Sequence, residues 1–154
     1  MNIAIETYRQ KAVHKDVVVS LQYSPSGQYL VSADQSGGIV IWPRGTRRGS
    51  RRIQSPYAPL TGAWFSEDEK WIIAGHQGGR VGLFSLPKGK LEARIQLKTE
   101  YPEGTILSGT SRAILNSTVL AFSPANNRNL YVALEWRDFF TLQRPTMEVT
   151  GHVH

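Results

Sequence analysis

Cysteine is missing from all 154 residues. Its absence excludes a disulfide-stapled secreted domain and every thiolate metal or redox site, and points to an intracellular setting, cytoplasmic or nuclear. Long apolar runs are missing as well. The opening MNIAIETYRQKAVHKD carries Glu6, Arg9, Lys11, Lys15 and Asp16 with no apolar core of signal-peptide length, and no later run approaches membrane-spanning length. The chain is therefore expected to be soluble and untargeted, with no membrane partner. Charge is sparse, at 19% of residues against 40% hydrophobic, which is a globular rather than a disordered composition, and the length suits one domain.

Catalytic patterns are equally scarce. His14, His76, His152 and His154 show no metal-pair spacing apart from the terminal His-Val-His, which reads as a loose tail. The SGG and QGG stretches lack the Lys-Ser/Thr of a phosphate loop and suit tight turns. Ser111, Ser117 and Ser123 have no Gly-x-Ser-x-Gly context. Glu67, Asp68 and Glu69 read as a solvated turn. His14 is better suited to a structural hydrogen bond to Ser32 or the backbone than to general-base work. The expectation is a protein that is not an enzyme and needs no cofactor or metal. An enzyme working in a central channel would need a polar cluster there, which the sequence does not single out.

What is present is repetition. LQYSPSGQYLVSADQSGGIVIW laid over AWFSEDEKWIIAGHQGGRVGLF, without a gap, pairs Tyr23 with Phe65, Ser24 with Ser66, Tyr29 with Trp71, Gln35 with Gln77, Gly37 with Gly79 and Trp42 with Phe84, each 42 residues apart. Such a period signals a repeat architecture. Each copy holds an alternating strand ending on an aromatic, a Ser-containing turn, a second apolar strand, a Gly-rich turn and a third strand ending on an aromatic. KLEARIQL supplies a fourth strand, with Leu91, Ala93, Ile95 and Leu97 on one face, whereas RRIQ in the first copy is a poorer strand. VLAFSPANNRNLYVAL is a worn third copy, separated by the insertion KTEYPEGTILSGTSRAILNS, and its third strand in EWRDFFTLQ lacks the Gly-Gly turn. Trp71 reads as core by its match to Tyr29. Trp64 and Trp136 read as packing residues or blade-edge anchors.

Four short antiparallel strands per repeat describe a propeller blade, and the unit resembles the WD-repeat family. His14, Ser24-Pro25-Ser26-Gly27, Ser32-Ala33 and Trp42 fall on that family's motif positions. The resemblance implies an all-β, β-propeller-type fold of about three four-stranded blades. It also implies a network of His, Ser, Asp and Trp, and a non-catalytic scaffold for protein partners in a larger complex. Pro43 replaces the motif's closing Asp, Ser36 stands where its turn Asp is expected, and Pro56 takes the second copy's His position. His14, Ser32 and Trp42 are thus expected to form part of the network only, with Trp71 and Phe84 as structural counterparts in the second blade. The expected division is 1–13 as the outer strand of a preceding blade, 14–55 and 56–97 as blades, 98–117 as an insertion and 118–154 as a degenerate blade, with Gly151-His152 opening another.

Three blades do not close a ring, since propellers run from four to eight. The chain is therefore expected to be completed by oligomerisation, by a partner's blades or by further sequence. One binding feature stands out: Arg44, Arg47, Arg48, Arg51 and Arg52 lie within nine residues with no acid between them, in a chain of net charge +6. They form a candidate site for an anionic partner, either RNA or an acidic protein surface.

Overall fold

The computed structural model describes residues 13–45, 49–97, 119–124, 129–134, 139–143, 146 and 148–153. Their regular structure is all β apart from one 3-10 turn at Gln77–Gly79. Strands β1 (Val18–Tyr23), β2 (Tyr29–Asp34), β3 (Gly38–Pro43) and β4 (Arg51–Gln54) form one antiparallel meander. A second holds β5 (Leu60–Phe65), β6 (Trp71–His76), β7 (Arg80–Ser85) and β8 (Lys90–Gln96), and a third β9 (Val119–Pro124), β10 (Asn129–Leu134), β11 (Phe139–Gln143) and β12 (Glu148–Val153). The predicted four-stranded blades are therefore present. The described residues do not close a ring.

The repeat holds at the level of individual bonds. Tyr29 N–H donates to Ser24 Oγ at 3.2 Å, and Trp71 N–H, one period on, donates to Ser66 Oγ at 3.1 Å. Ser55 N–H donates to the Gly37 carbonyl and Leu97 N–H to that of Gly79, both at 2.8 Å. Strand register is conserved too: Tyr23 faces Leu30 as Phe65 faces Ile72.

Period-2 alternation gives each blade two faces. From the first blade Val31, Ala33, Ile39, Ile41 and Ile53 meet Ala63, Phe65, Ile72, Ala74 and Phe84 of the second. The second blade's other face, with Ile73, Val81, Leu83 and Leu97, packs on Val119, Val132 and Leu142 of the third. Polar bonds cross both junctions. Ala63 N–H donates to Ser20 Oγ at 3.0 Å, and Thr61 Oγ1 donates to the Val119 carbonyl at 2.7 Å. The first blade's remaining face carries Leu21 at 64% and Tyr23 at 66% exposure, beside Val17 at 65%.

Several expectations need correction. RRIQ is strand β4, paired with β3 from Gly38–Gln54 to Ile41–Arg51. One buried apolar residue, Ile53, is enough for an outer strand whose other contacts are backbone bonds and side-chain polar bonds. Phe139–Gln143 forms a strand without a Gly-Gly turn, because its full register with β10 supplies the ladder. Gly151 and His152 do not open a blade or form a loose tail: they lie in β12, opposite Thr141 and Phe140. Trp71 is half-buried against the second junction rather than enclosed, and the half-buried Trp64 ring lies against Gly62. Glu69 is not simply solvated, since it accepts the Ser26 N–H of the first blade at 2.5 Å. Residues 1–12, the insertion at 98–117, Arg47, Arg48, Trp136 and His154 lie outside the described residues.

The turn glycines carry a testable consequence. Gly79 has φ +68, and a Cβ there would stand 2.4 Å from the Leu97 carbonyl oxygen, whereas at Gly45, with φ +73, a Cβ meets nothing within 4 Å. Gly79→Ala is expected to lower the urea unfolding free energy by about 2–4 kcal/mol, against about 1 kcal/mol for Gly45→Ala. Equal losses would show that the contact with Leu97 does not constrain the turn.

Candidate functional site

The first blade holds one connected set of polar side chains. Trp42 closes β3, Ser32 faces it from β2, Asp34 ends β2, and His14 lies just before β1. Trp42 Nε1–H donates to Ser32 Oγ at 2.8 Å, Ser32 Oγ lies 2.6 Å from His14 Nε2, and His14 Nδ1 lies 2.8 Å from Asp34 Oδ2. One protonation pattern satisfies every group: the Ser32 hydroxyl donates to Nε2, and Nδ1–H donates to the carboxylate.

Asp34 is the hub. It is 0% exposed. Its Oδ1 accepts from Ser36 Oγ at 2.6 Å and Gly38 N–H at 2.9 Å, and its Oδ2 also accepts from Lys15 N–H at 3.3 Å and Arg52 Nη2 at 3.4 Å. Burial pushes this carboxyl's pKa up, but the bonds from Ser36, His14, Gly38 and Lys15 outweigh it and hold the group well below the usual carboxylate range. Gly38 is required by this crowding, since a Cβ there would lie 2.4 Å from Asp34 Oδ2 and 2.2 Å from Arg52 Nη2.

The sequence pattern assigned the motif's turn acid to position 36 and so expected a partial network. The acid is Asp34, two residues after Ser32, and the network is complete. This acid is the last residue of β2 instead of a residue of the turn that follows it.

Ser32, His14 and Asp34 are connected in the order of a hydrolase triad. Their setting does not suit nucleophilic work. Ser32 is 4% exposed, and its oxygen already accepts from Trp42 while its proton is committed to His14. The arrangement ties β1, β2 and β3 together. Among the described residues no group of three His, Cys, Asp or Glu side chains is placed to hold a metal ion.

The arginine cluster divides. Arg44 and Arg51 are exposed, the first just after β3 and the second at the start of β4. Arg52 is half-buried and belongs to the polar network: besides Asp34 it bonds the Val13 carbonyl and Gln54 Oε1. The described arginines do not share one loop: Arg51 and Arg52 lie in β4. Only Arg44 and Arg51 among the described members present free cationic surface.

A scan against family models matches the WD domain, G-beta repeat, over residues 7–43. The target of rapamycin complex subunit LST8 of Mus musculus is 30% identical over 104 residues, covering 66% of this chain and 32% of that protein. Polyadenylation factor subunit 2 of Candida albicans is 26% identical over 86 residues, covering 52% of this chain and 16% of that protein. Among solved structures, the RRP9 WD40 repeats align with TM-score 0.69 at 14% identity, and the Cps50 (Swd1) β-propeller domain of Myceliophteria thermophila with 0.66 at 17%. Each alignment covers 92% of this chain and 40% of the other. The chain carries a WD repeat in its first blade and has the fold of WD-repeat β-propellers. It spans a third or less of the curated relatives' length.

Of the first two blades, only the first holds the WD network among the described residues. One period after His14, Ser32, Asp34 and Trp42 stand Pro56, Ala74, His76 and Phe84. Phe84 turns the position into core, 2% exposed and packed in the first junction. His76 is fully buried, with Nε2 3.2 Å from Ser55 Oγ and no partner for Nδ1 among the described residues. The ring of Tyr57 meets it edge-on at 5.6 Å. Burial, with the nearby Arg80 charge, lowers the His76 pKa to about 4.

The pH dependence follows in sign. The folded state disfavours protonated His76, so its stabilising share is complete above about pH 6.5 and is lost as pH falls toward about 4. The unfolding free energy should drop over that window by up to about 3 kcal/mol, and His76→Leu should flatten that part of the profile. A wild-type profile level between pH 6.5 and 4 would contradict this environment for His76.

Proposed function

We propose that this chain is a non-catalytic interaction platform, a WD-repeat segment that contributes blades to a larger protein assembly. The observation that carries this reading is the first blade's face that no other described residue covers, where Val17, Leu21 and Tyr23 stand 65%, 64% and 66% exposed beside a complete structural network. A blade face of this kind is built to be covered, as the second blade covers the opposite one. The relatives support the reading by their names: LST8 is a subunit of the target of rapamycin complex, and the Candida albicans relative is a polyadenylation factor subunit. Their chains are longer, so completion by further blades, by a partner protein or by a second copy all fit the proposal. A cytoplasmic or nuclear setting agrees with it, and no described helix is long and apolar enough to cross a membrane.

A second reading is an RNA-associated subunit, favoured by the exposed Arg44 and Arg51, which have no ion-pair partner among the described residues. Arg47 and Arg48 extend the same segment in sequence. Arg52 drops out of this surface because it stabilises the blade.

One experiment separates the two. The full chain, captured from its native source with and without ribonuclease, should retain protein partners in both cases, and Leu21→Asp with Tyr23→Asp should release them. Partners lost on ribonuclease treatment, and lost in a variant with Arg44, Arg47, Arg48 and Arg51 changed to Glu, would favour the second reading. A monodisperse monomer with cooperative unfolding and no captured protein would refute the platform.

A further inference from the structure

The two blades place different chemistry on the same frame. Arg52 and Arg94 are one period apart, and so are Gln54 and Gln96. In the first blade Arg52 turns inward to the carboxylate of Asp34. In the second, Asp34's counterpart is His76 and Gly38's counterpart is Arg80. The internal anion is gone and a second guanidinium has been added.

The geometry shows where Arg94 goes instead. Arg94 Nη1 donates to the Tyr57 hydroxyl at 2.7 Å, and the Arg80 guanidinium lies over the Tyr57 ring, 5.6 Å from its centroid. Gln96 lies opposite Arg80 in the β7–β8 ladder and donates its amide to the Gly78 carbonyl at 3.2 Å. Tyr57, Arg80, Arg94, Ile95 and Gln96 enclose a cleft of about 310 Å³. No acidic side chain lines it among the described residues. Among the described residues neither arginine has an ion-pair partner, and Glu92, two residues from Arg94, is engaged by Ser85 and Lys90. The Tyr57 hydroxyl accepts from Arg94 and keeps its own proton to donate.

We propose that this cleft on the second blade binds a carboxylate side chain of an acidic peptide segment, supplied by a partner protein. It would answer externally the charge that Asp34 supplies internally to Arg52 in the first blade. A carboxylate is the favoured anion because the matching arginine of the first blade shows that group as its partner. Two guanidinium groups and a phenol present converging donors to it. The proposal rests on the platform reading and names the chemistry of one partner contact.

The test uses the full chain at low salt and a fluorescein-labelled hexaglutamate peptide, followed by anisotropy. Arg80→Glu with Arg94→Glu should weaken binding by about tenfold or more, while Arg44→Glu with Arg51→Glu should change it by less than about twofold. In the unmutated chain the peptide should shift the amide resonances of Tyr57, Arg94 and Gln96 and leave those of Arg44 and Ser50 in place, a readout that no folding defect can imitate. Absence of binding, equal loss in both variants, or shifts confined to other residues would overturn the proposal. So would tighter binding of a hexauridylate RNA at the same arginines, which would assign the cleft to phosphate. If the cleft fails while protein capture persists, the platform reading stands without it; failure of both removes both.

Discussion

The fold depends on one constraint: a strand whose side chains alternate must bury both faces, and a blade buries each against a neighbour. Val31, Ile39 and Ile41 on one side of the first junction, and Phe65, Ile72 and Phe84 on the other, satisfy it between the first two blades. At roughly 25 cal/mol per Å² of apolar surface, such junctions supply the main driving force for folding. Polar bonds such as Ala63 to Ser20 then fix the angle and register of the stack.

Within that frame the blades differ in how they hold themselves together. The first uses a buried carboxylate with five donors around it, reaching through His14 and Ser32 to Trp42. The second has Phe84 in the core where Trp42 makes its hydrogen bond, and a buried imidazole where the carboxylate stands. Its apolar junctions on both faces make a polar tie dispensable. The first blade has one face open among the described residues and retains the tie. With His76 where the first blade has its acid, Arg80 and Arg94 stand exposed against Tyr57, and the proposed peptide contact rests on them.

The architecture was legible because packing writes period-2 alternation and a 42-residue spacing directly into the sequence. Tyr23 and Phe65, or Trp42 and Phe84, hold matching register positions, facing Leu30 and Ile72 across their ladders, although Phe65 and Phe84 are buried and Tyr23 is exposed. Less was legible where backbone ladders or long-range polar contacts decide. Strand β4 has a single buried apolar residue and its pairing is carried by main-chain bonds. Asp34 was hidden because it ends strand β2, where the motif places its acid in the turn. Arg52 read as part of a charged loop because its inward direction comes from an acid 18 residues away. The cleft of Tyr57, Arg80 and Arg94 joins two strands and a loop, yet the paired positions Arg52 with Arg94 and Gln54 with Gln96 were a signal in the same register that revealed the repeat.

The account turns on Asp34 as the buried anion that organises the first blade. Urea unfolding of Asp34→Asn beside the unmutated chain at neutral pH tests that most directly. The expected result is a loss of about 2–4 kcal/mol, because Arg52, His14 and the Gly38 amide lose their charged acceptor. A change below about 0.5 kcal/mol, the range of ordinary surface substitutions, would contradict it.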